Sequence, residues 1–451
     1  MASIQLAIVP LLCIILAIYS FGLLHDNEKT GAREYANIGT YWKWASTFLF
    51  LFLFRYVRLL VNIIGFLAYR PAPIPQQPTL TSKDVTVIIP TVDSGNPDFS
   101  ECLNTVAANN PASIVIVTAD GEEVFDRACA YRKQYRKVTV IASDRANKRA
   151  QVCKGLGRVH TAITVLCDDH VFWPTSFLAS VLAPFEDRSV GAVGTNKRVR
   201  RTPIGFSWPS FWNFLGCLYL ERHNFELAAT NHLDGGVFVI SGRTAAYRSS
   251  ILKDRGFIKG FLNEYTFFGL CGPLNADDDN FITRWCVNHG WKIKFQYSDA
   301  SRIETTLGTY PKFLSQCLRW VRTTWRSNPT SLFVDRTVWH VQPWCVYAVY
   351  VSSFFNFALF YDTALIWSLY RALNTSPDWN GGTKVYIFRL GLWILASKLV
   401  KPSPHFWRNP KDLYLLPGYI LFGYYHSLIK LYAMFTFWDV AWSGRPGLAV
   451  K

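Results

Sequence analysis

Two long apolar stretches mark the beginning of the chain. Residues 4–24 carry no charged side chain, and at about 1.5 Å per residue this run of 21 can cross a hydrocarbon core of roughly 30 Å. It lacks the basic start and short apolar core of a cleaved signal peptide. A second run, residues 42–68, contains Arg55 and Arg58 and is followed by Arg70. Because basic residues favour the cytosolic side, we expect two membrane spans with both ends in the cytosol.

Between about residue 76 and residue 330 the pattern is that of a soluble α/β domain. The Pro-rich stretch before it forms a stiff, non-helical boundary. Short apolar runs rich in β-branched residues then alternate with polar helical stretches, which is typical of a parallel sheet covered on both faces. The predicted strands occupy 84–90, 113–121, 137–143 and 161–170. Such sheets bind ligands beyond the C-terminal ends of their strands, so we expect a site there.

Three further apolar runs follow the α/β domain, at 343–370, 385–400 and 412–437. Ionisable residues within such runs rarely face lipid, so we expect them to line a polar path. They are Asp362, Arg389, His426 and Lys430. For Arg389 and Lys430 the alternative is that the side chain reaches the headgroups.

Three full spans would leave the end of the chain on the side opposite the α/β domain. Either one run is interfacial or re-entrant, or one long run contains two spans. We expect the last run, which contains Pro417, not to be a simple span.

Composition and charge narrow the class of protein. Half of the 451 residues are hydrophobic and 17% are charged, which is more apolar than a typical soluble protein. The net charge of +16 is compatible with nucleic acid, anionic lipid or acidic substrates as partners. The expected spans argue against nucleic acid. The ten cysteines are scattered without a CxxC pair, so we expect reduced thiols rather than a metal or disulfide framework.

Acidic residues recur at the C-terminal ends of the predicted strands. Asp93 follows the first strand, Asp120 the second, and Asp168, Asp169 and His170 the fourth. One such aspartate is usually a turn former or helix cap. Three at one edge of a sheet indicate a site, and oxygen ligands beside an imidazole suit Mg²⁺ or Mn²⁺ that is also held by a diphosphate.

Two more charged clusters belong to the same domain. Lys148 and Arg149 could neutralise a diphosphate, with a solvated basic face as the alternative. Asp277, Asp278 and Asp279 begin a predicted helix, where acidic residues also complement the helix dipole. Mutual repulsion among three carboxylates raises the pKa of at least one, which suits a general base.

The stretch "QCLRW" lies just before the first C-terminal apolar run. On a helix, Gln316, Arg319 and Trp320 fall at i, i+3 and i+4 and therefore share one face. An amphipathic helix anchored at the headgroups is the alternative, and we expect it to account for Trp325 and Arg326.

In this order, the motifs resemble those of the processive family 2 glycosyltransferases, the group of hyaluronan, chitin and cellulose synthases. "QCLRW" matches the Gln-x-x-Arg-Trp signature of that group, and it follows the acidic clusters in "CDDH" and "DDDNFIT". "DDHVFWP" and "SGRTAAYR" resemble the hyaluronan-synthase-like capsular polysaccharide synthases of fungi. The resemblance covers about residues 85–330 and extends to "WSGR" near the C-terminus, which is similar to the gating segment of the family.

The resemblance implies an α/β fold of the GT-A, Rossmann-like type, inserted between N- and C-terminal transmembrane helices. The implied divisions are two transmembrane helices at 1–70, a Pro-rich linker at 71–84, the cytosolic catalytic domain at 85–310, an amphipathic interface helix at 311–335, transmembrane or interfacial helices at 336–440 and a gating-like tail at 441–451.

The resemblance also assigns roles to residues. Asp279 is implied as the catalytic base. Asp169 would hold the metal with Asp168 or His170, because the first Asp of the family's Asp-x-Asp falls on Cys167. The residues implied for the nucleotide are Asp93, Asp120, Lys148, Arg149, Asp168 and Arg445. Those implied for the acceptor and the diphosphate are Gln316, Arg319, Trp320, Gly242 and Arg243. Asp277 stands where many members of the family have Gly.

The implied protein is a multi-pass enzyme, expected in the plasma membrane. With Mg²⁺ or Mn²⁺ it would polymerise sugar from a UDP-sugar donor by inversion and extrude the growing polysaccharide through its own channel. Glucose, N-acetylglucosamine and glucuronate donors all share the UDP contacts, and the oligomeric state stays open. The alternatives are a glycolipid synthase similar to ceramide glucosyltransferase, and a non-enzymatic membrane scaffold with a degenerate transferase domain.

Overall fold

A long apolar helix, α1 (Ala32–Ala68), begins the described part of the chain. The computed structural model describes residues 32–119, 121–202, 205, 207–267, 269–376 and 381–440, with side chains from residue 38 onward. Ile38–Ala68 are long and apolar enough to cross a membrane, as the second apolar run predicts. The predicted span at 4–24, Asp120 and the tail with Arg445 lie outside the described residues.

A mixed seven-stranded sheet forms the centre of the α/β domain. The strands of the domain are β1 (Val85–Thr91), β2 (Ser113–Thr118), β3 (Val138–Ala142), β4 (Ile163–Cys167), β5 (Val171–Phe172), β6 (Val190–Thr195), β7 (Lys197–Val199), β8 (Thr244–Arg248), β9 (Lys292–Gln296) and β10 (Ile303–Thr305). The large sheet has the order β3-β2-β1-β4-β8-β6-β9, and β5, β10 and β7 form a small second sheet. The four predicted strands are β1 to β4, and they are parallel. The sequence pattern predicts a parallel sheet. β8, however, runs antiparallel to β4 and β6, so the sheet is mixed.

The central strands are buried on both faces. Along β1, Ile88 contributes to one hydrophobic core, whereas Val87 and Ile89 contribute to the other. Every residue of β1 is buried. Because both faces are covered, the strand is a continuous apolar run rather than an alternating one.

Helices cover both faces of the sheet and continue beyond it. They are α2 (Pro97–Ala108), α3 (Glu122–Gln134), α4 (Lys148–Leu156), α5 (Phe177–Leu182), α6 (Trp208–Asp234), α7 (Ser249–Leu252), α8 (Arg255–Leu262), α9 (Asp278–Asn288), α10 (Lys312–Pro329), α11 (Val338–Val341), α12 (Pro343–Cys345), α13 (Ser352–Phe355), α14 (Ala358–Thr375), α15 (Thr383–Val400), α16 (Ser403–Arg408) and α17 (Leu416–Met434). Short 3-10 turns occupy Ser82–Asp84, Ala183–Glu186 and Pro410–Leu415, and π-helical segments occupy Thr330–Asp335 and Val346–Val351.

Local sequence explains where the site-bearing helices begin. The Asn147 side chain accepts a hydrogen bond from the Ala150 N–H and so caps α4, which places Lys148 in its first turn. Before α9, Asp277 has a left-handed backbone with φ of 61°. This is a conformation that Asp tolerates better than most residues, and it turns the following carboxylates toward the edge of the sheet.

The first C-terminal apolar run does not form a straight span. It divides into Pro343–Phe355 and Ala358–Thr375, whose axes differ by 88°. The described residues therefore contain one helix that could cross a membrane, or two if this bent pair is one broken span. Neither α15 nor α17 meets the same criterion of length and composition.

Helix α17, which contains Pro417, contacts the α/β domain on both sides. Before it, Asp412 forms an ion pair with Arg201 at 2.8 Å. After it, Asp439 forms an ion pair with Arg322 of α10 at 2.7 Å. The segments that flank α17 are therefore both anchored, one to the α/β domain and the other to α10.

Candidate active site

A cavity of about 720 Å³ lies beyond the C-terminal end of β4. Its walls come from the segment after β4, the loop before β8, the start of α9 and one face of α10. The predicted site residues that line it are Lys148, Asp168, Asp169, His170, Gly242, Arg243, Asp279, Gln316, Arg319 and Trp320. The fold thus brings together motifs that are far apart in the sequence.

The segment after β4 offers oxygen and nitrogen atoms to a cation. Asp169 Oδ1 lies 3.0 Å from His170 Nδ1, and its Oδ2 accepts a hydrogen bond from Thr91 Oγ1 at 2.8 Å. Within the described residues no group of three or more His, Cys, Asp or Glu side chains converges on a metal position. Mg²⁺ is commonly held by one or two carboxylates and completed by substrate phosphates. The residues present fit a cation of that kind.

Lys148 connects the two acidic clusters. Its Nζ lies 2.8 Å from Asp168 Oδ1 and 3.0 Å from Asp278 Oδ2, and it donates to the Gly242 carbonyl at 3.0 Å. Burial alone would lower the pKa of the ammonium, but the two carboxylates raise it above its usual value. A permanent cation therefore stands between β4 and α9.

The three aspartates before and within α9 have different surroundings. Asp277 is buried and accepts from Arg326 Nε at 2.7 Å, and Arg326 holds its pKa below the usual range although burial acts to raise it. Asp278 pairs with Lys148. Asp279 forms no ion pair with the described residues; its Oδ2 accepts only the Gly242 N–H, at 3.0 Å. Burial, followed by the Asp278 carboxylate, raises the pKa of Asp279 to about 6.

One face of α10 lines the same cavity as Asp279. Gln316, Arg319 and Trp320 share one face of the helix, as their spacing predicted, and they line the cavity. The Arg243 guanidinium lies over the Trp320 ring, 5.4 Å from its centroid, which is a cation–π distance. Both Arg243 and Arg319 have a buried Nε without a hydrogen-bond partner in the described structure. The Trp320 ring and two guanidinium groups thus share one wall.

A family model described as "Glycosyltransferase like family 2" matches residues 82–323, which is more than half of the chain. The chain belongs to family 2 of the glycosyltransferases. The transferase has the GT-A glycosyltransferase fold, with the mixed sheet described above.

Similar proteins agree with this assignment. A "Type 2 glycosyltransferase" of Gibberella zeae is 43% identical over 405 residues, which are 89% of this chain and 76% of the relative. The "NDP-glycosyltransferase ltbB" of Aspergillus luteorubrus is 31% identical over 269 residues, covering 57% and 64%. The solved structure of the mannosyltransferase PcManGT from Pyrobaculum calidifontis, in complex with GDP-Man and Mn²⁺, matches with a TM-score of 0.54 at 15% identity, covering 87% of this chain and 98% of the other. At this identity the likeness shows the fold alone.

Two predicted nucleotide residues of the transferase lie outside the cavity lining. Arg149 is buried in the domain, where its Nη2 donates to Glu264 at 2.7 Å and its Nη1 to the Phe261 carbonyl at 2.8 Å. As the residue after Lys148 in α4, it points about 100° away from Lys148 around the helix axis, and the structure does not bring it into the cavity. Asp93 is exposed at the end of β1, where its Oδ1 accepts from the Gly95 N–H at 3.1 Å.

Sequence reasoning missed one helix face of the transferase that lines the cavity. Tyr219, Arg222, His223 and Glu226 of α6 all lie on its wall. Their spacing of i, i+3, i+4 and i+7 is the signal that could have identified them.

A lysine of β7 was also missed. Lys197 is buried in the cavity wall. Burial, followed by the Arg243 guanidinium, lowers the pKa of Lys197 to about 7. A single lysine in a short strand gave no pattern by which to find it.

The structure corrects the prediction for Arg326. It was expected to anchor α10 at lipid headgroups, but it is buried and pairs with Asp277. Its Nη1 also donates to the carbonyls of Phe437 and Asp439, at 2.9 and 3.0 Å. A buried guanidinium between a carboxylate and two carbonyls is an internal connection, which holds the residues after α17 against the active-site domain.

Proposed function

We propose that this transferase moves a sugar from a UDP-sugar to an acceptor hydroxyl with inversion at the anomeric carbon. In this reaction the bond between the anomeric carbon and the diphosphate oxygen breaks, and a bond to the acceptor oxygen forms. The acceptor proton goes to a carboxylate, and the nucleoside diphosphate leaves. The observation that carries the proposal is the position of Asp279, a carboxylate without an ion pair in the described structure that shares one cavity with Lys148 and Trp320.

Asp279 is suited to accept the proton. Asp277 and Asp278 are each neutralised by a cation, whereas the hydrogen-bond donors to Asp279 in the described structure, from Gly242 and Asn280, are neutral. The pKa of Asp279, raised to about 6, makes it a stronger base than an ordinary aspartate while leaving it mostly ionised near neutral pH.

Cationic groups that line the same cavity as Asp279 suit the leaving diphosphate. Lys148 and Arg243 present positive charge to the cavity, and Arg319 adds a guanidinium from α10. Fixed cations of this kind stabilise negative charge that develops as the diphosphate departs. A divalent cation held by Asp169 with Asp168 or His170 would supply further positive charge when bound.

Trp320 is the proposed acceptor platform. An aromatic face offers a broad apolar surface to a sugar ring, and the paired Arg243 fixes its orientation. The cavity continues from Trp320 toward α1 and α17, so an acceptor longer than one sugar has room behind the reacting end. We propose on this basis that the acceptor is a growing polysaccharide and that α1 holds the enzyme in a membrane, with the catalytic domain in the cytosol.

The test is release of UDP by the purified, detergent-solubilised full chain. Each UDP-sugar is offered separately with Mn²⁺ or Mg²⁺, and the product is sized. Asp279→Asn should lower turnover by roughly 100- to 10,000-fold, the contribution of a general base. Asp144→Asn is the matched control, because Asp144 is exposed and, among the described residues, its one ion pair is with Lys154 on the surface.

The products distinguish the alternatives. A polymer that disappears in Asp279→Asn supports the proposal. A single sugar on added lipid would instead indicate a glycolipid synthase. Absence of turnover with every donor, in a folded sample, would indicate a scaffold.

A further inference from the structure

The far part of the large cavity is lined by basic side chains. We define the inner end by Arg58 of α1, Arg222 of α6, and His426 and Lys430 of α17, all of which line the cavity that contains Asp279. A neighbouring cavity of about 160 Å³ shares these four residues, and no carboxylate of the described residues is among its lining. The inner end is therefore a region of the cavity wall with an excess of basic side chains.

Three basic side chains of the inner end, those of Arg58, Arg222 and Lys430, have neutral hydrogen-bond partners. Arg58 Nη1 donates to the Ala348 carbonyl at 3.1 Å, and Lys430 Nζ donates to the Asn356 carbonyl at 3.0 Å. Arg222 is hydrogen-bonded to a tyrosine hydroxyl of α17. In the part of the chain that the structure describes, none of the three forms an ion pair with a carboxylate.

Other basic side chains near the inner end, unlike these three, form ion pairs with carboxylates. Lys401 pairs with Glu226, and Arg55 and Lys398 pair with Asp362. Glu226 is the one carboxylate of the described residues at the inner end, and Lys401 already engages it. Removing a cation from water without a counter-ion has an unfavourable free energy. An anion that binds between such cations offsets this free energy.

A row of rings connects the inner end with the reacting groups. The Tyr219 ring lies 5.0 Å from that of Trp320 and 6.0 Å from that of His426, measured between centroids. Hydroxyl and amide groups of Ser352, Ser353 and Asn356 line the same region. Aromatic faces mixed with hydrogen-bonding groups suit a chain of sugars better than an acyl chain, which would require a continuous apolar wall.

We propose that the acceptor is an acidic saccharide whose carboxylate is bound by Arg58, Arg222 and Lys430. This inference rests on the proposed function, because it takes the cavity that holds Asp279 as the acceptor site. The reacting sugar lies at Trp320. The preceding sugars of the acceptor lie along the Tyr219 and His426 rings and reach the three basic side chains. The inner end then selects acceptors that carry negative charge several sugars away from the reacting hydroxyl.

The experiment measures binding to the full chain in detergent by calorimetry, without donor and without turnover. The probes are a tetrasaccharide of alternating glucuronate and N-acetylglucosamine, a neutral N-acetylglucosamine tetrasaccharide, and farnesyl phosphate. We expect the acidic tetrasaccharide to bind about tenfold or more tightly than the neutral one, the scale of one hydrogen bond to a charged group. Lys430→Gln and Arg222→Gln should remove this preference.

Arg389→Gln is the matched control, because Arg389 is exposed on α15 and lines neither cavity, contrary to its expected place along a polar path. Arg389→Gln should retain the preference. Lys430→Arg should also retain it, because the substitution keeps the positive charge.

Equal affinity for the two tetrasaccharides, or a preference that persists in Lys430→Gln and Arg222→Gln, overturns the inference. Tight binding of farnesyl phosphate in place of the acidic saccharide also overturns it, in favour of a lipid phosphate. Because no turnover is measured, a failure of the UDP-release assay does not affect this result.

Discussion

The pKa of Asp279 leads to a prediction about pH. A base must be ionised to accept a proton, and burial together with Asp278 raises this pKa to about 6. The sign follows directly: kcat should increase as pH rises through about 6 and level off above it, because protonated Asp279 is inactive. The measurement is kcat at saturating donor and acceptor between about pH 5 and pH 8. A profile without an inflection near pH 6 would exclude Asp279 as the titrating base.

Gly242 leads to a second prediction for a single residue. A Cβ at this position would lie 3.1 Å from Asp279 Oδ2, and the Gly242 N–H is the donor to the same oxygen. Gly242→Ala should displace the carboxylate by a few tenths of an ångström and lower kcat, by less than the roughly 100-fold that a misplacement of about 1 Å can cost. The free energy of unfolding is measured in parallel.

Gly157→Ala is the control for that substitution. Gly157 has an ordinary backbone, and its added Cβ would meet only a carbonyl oxygen at 3.4 Å. This variant should keep the activity of the unmodified chain. If Gly242→Ala is equally active, the Gly242 N–H does not position the base.

At the scale of elements, the pair between Asp277 and Arg326 connects α9 with α10. Both side chains are buried, and removal of one leaves the other as an uncompensated charge. Arg326→Gln should lower the free energy of unfolding by about 3–5 kcal/mol. The measurement is chemical denaturation in detergent, with turnover assayed where the variant still folds.

A double variant tests whether this loss comes from the pair itself. Asp277→Asn combined with Arg326→Gln leaves no unpaired charge, so its loss should be smaller than the sum of the single losses. Additive losses would mean that the two residues act independently. Arg326→Gln also removes the two hydrogen bonds that Arg326 donates to the carbonyls of Phe437 and Asp439.

Some elements followed from the sequence and others did not, for identifiable physical reasons. β1 to β4 were predicted because buried parallel strands are continuous apolar runs, a property of local sequence. The α10 face was predicted because helical spacing places Gln316, Arg319 and Trp320 together. The role of Arg326 was not predicted. The local sequence around an arginine beside an apolar run does not distinguish one that contacts lipid headgroups from one that pairs with a buried aspartate. The partner Asp277 is distant in the chain.

For the whole molecule, the arrangement of the C-terminal helices was the least predictable feature. The apolar run 343–370 contains no Gly or Pro after Pro343, yet it bends by 88° between α13 and α14. The carbonyl of Asn356 at this bend accepts from Lys430 Nζ at 3.0 Å. A partner from another helix thus satisfies a backbone group that the broken helix leaves open, and single-segment patterns do not contain this information.

The connection through Arg326 also bears on how acceptors are chosen. Asp277 is the N-cap residue of α9, and Asp279 lies two residues after it. In α10, Trp320 lies fewer than two helical turns before Arg326. One buried ion pair thus connects the helices that carry the proposed base, Asp279, and the proposed acceptor platform, Trp320, before any substrate arrives. For the proposed reaction we therefore expect discrimination among acceptors to come from a shape that already exists rather than from induced fit.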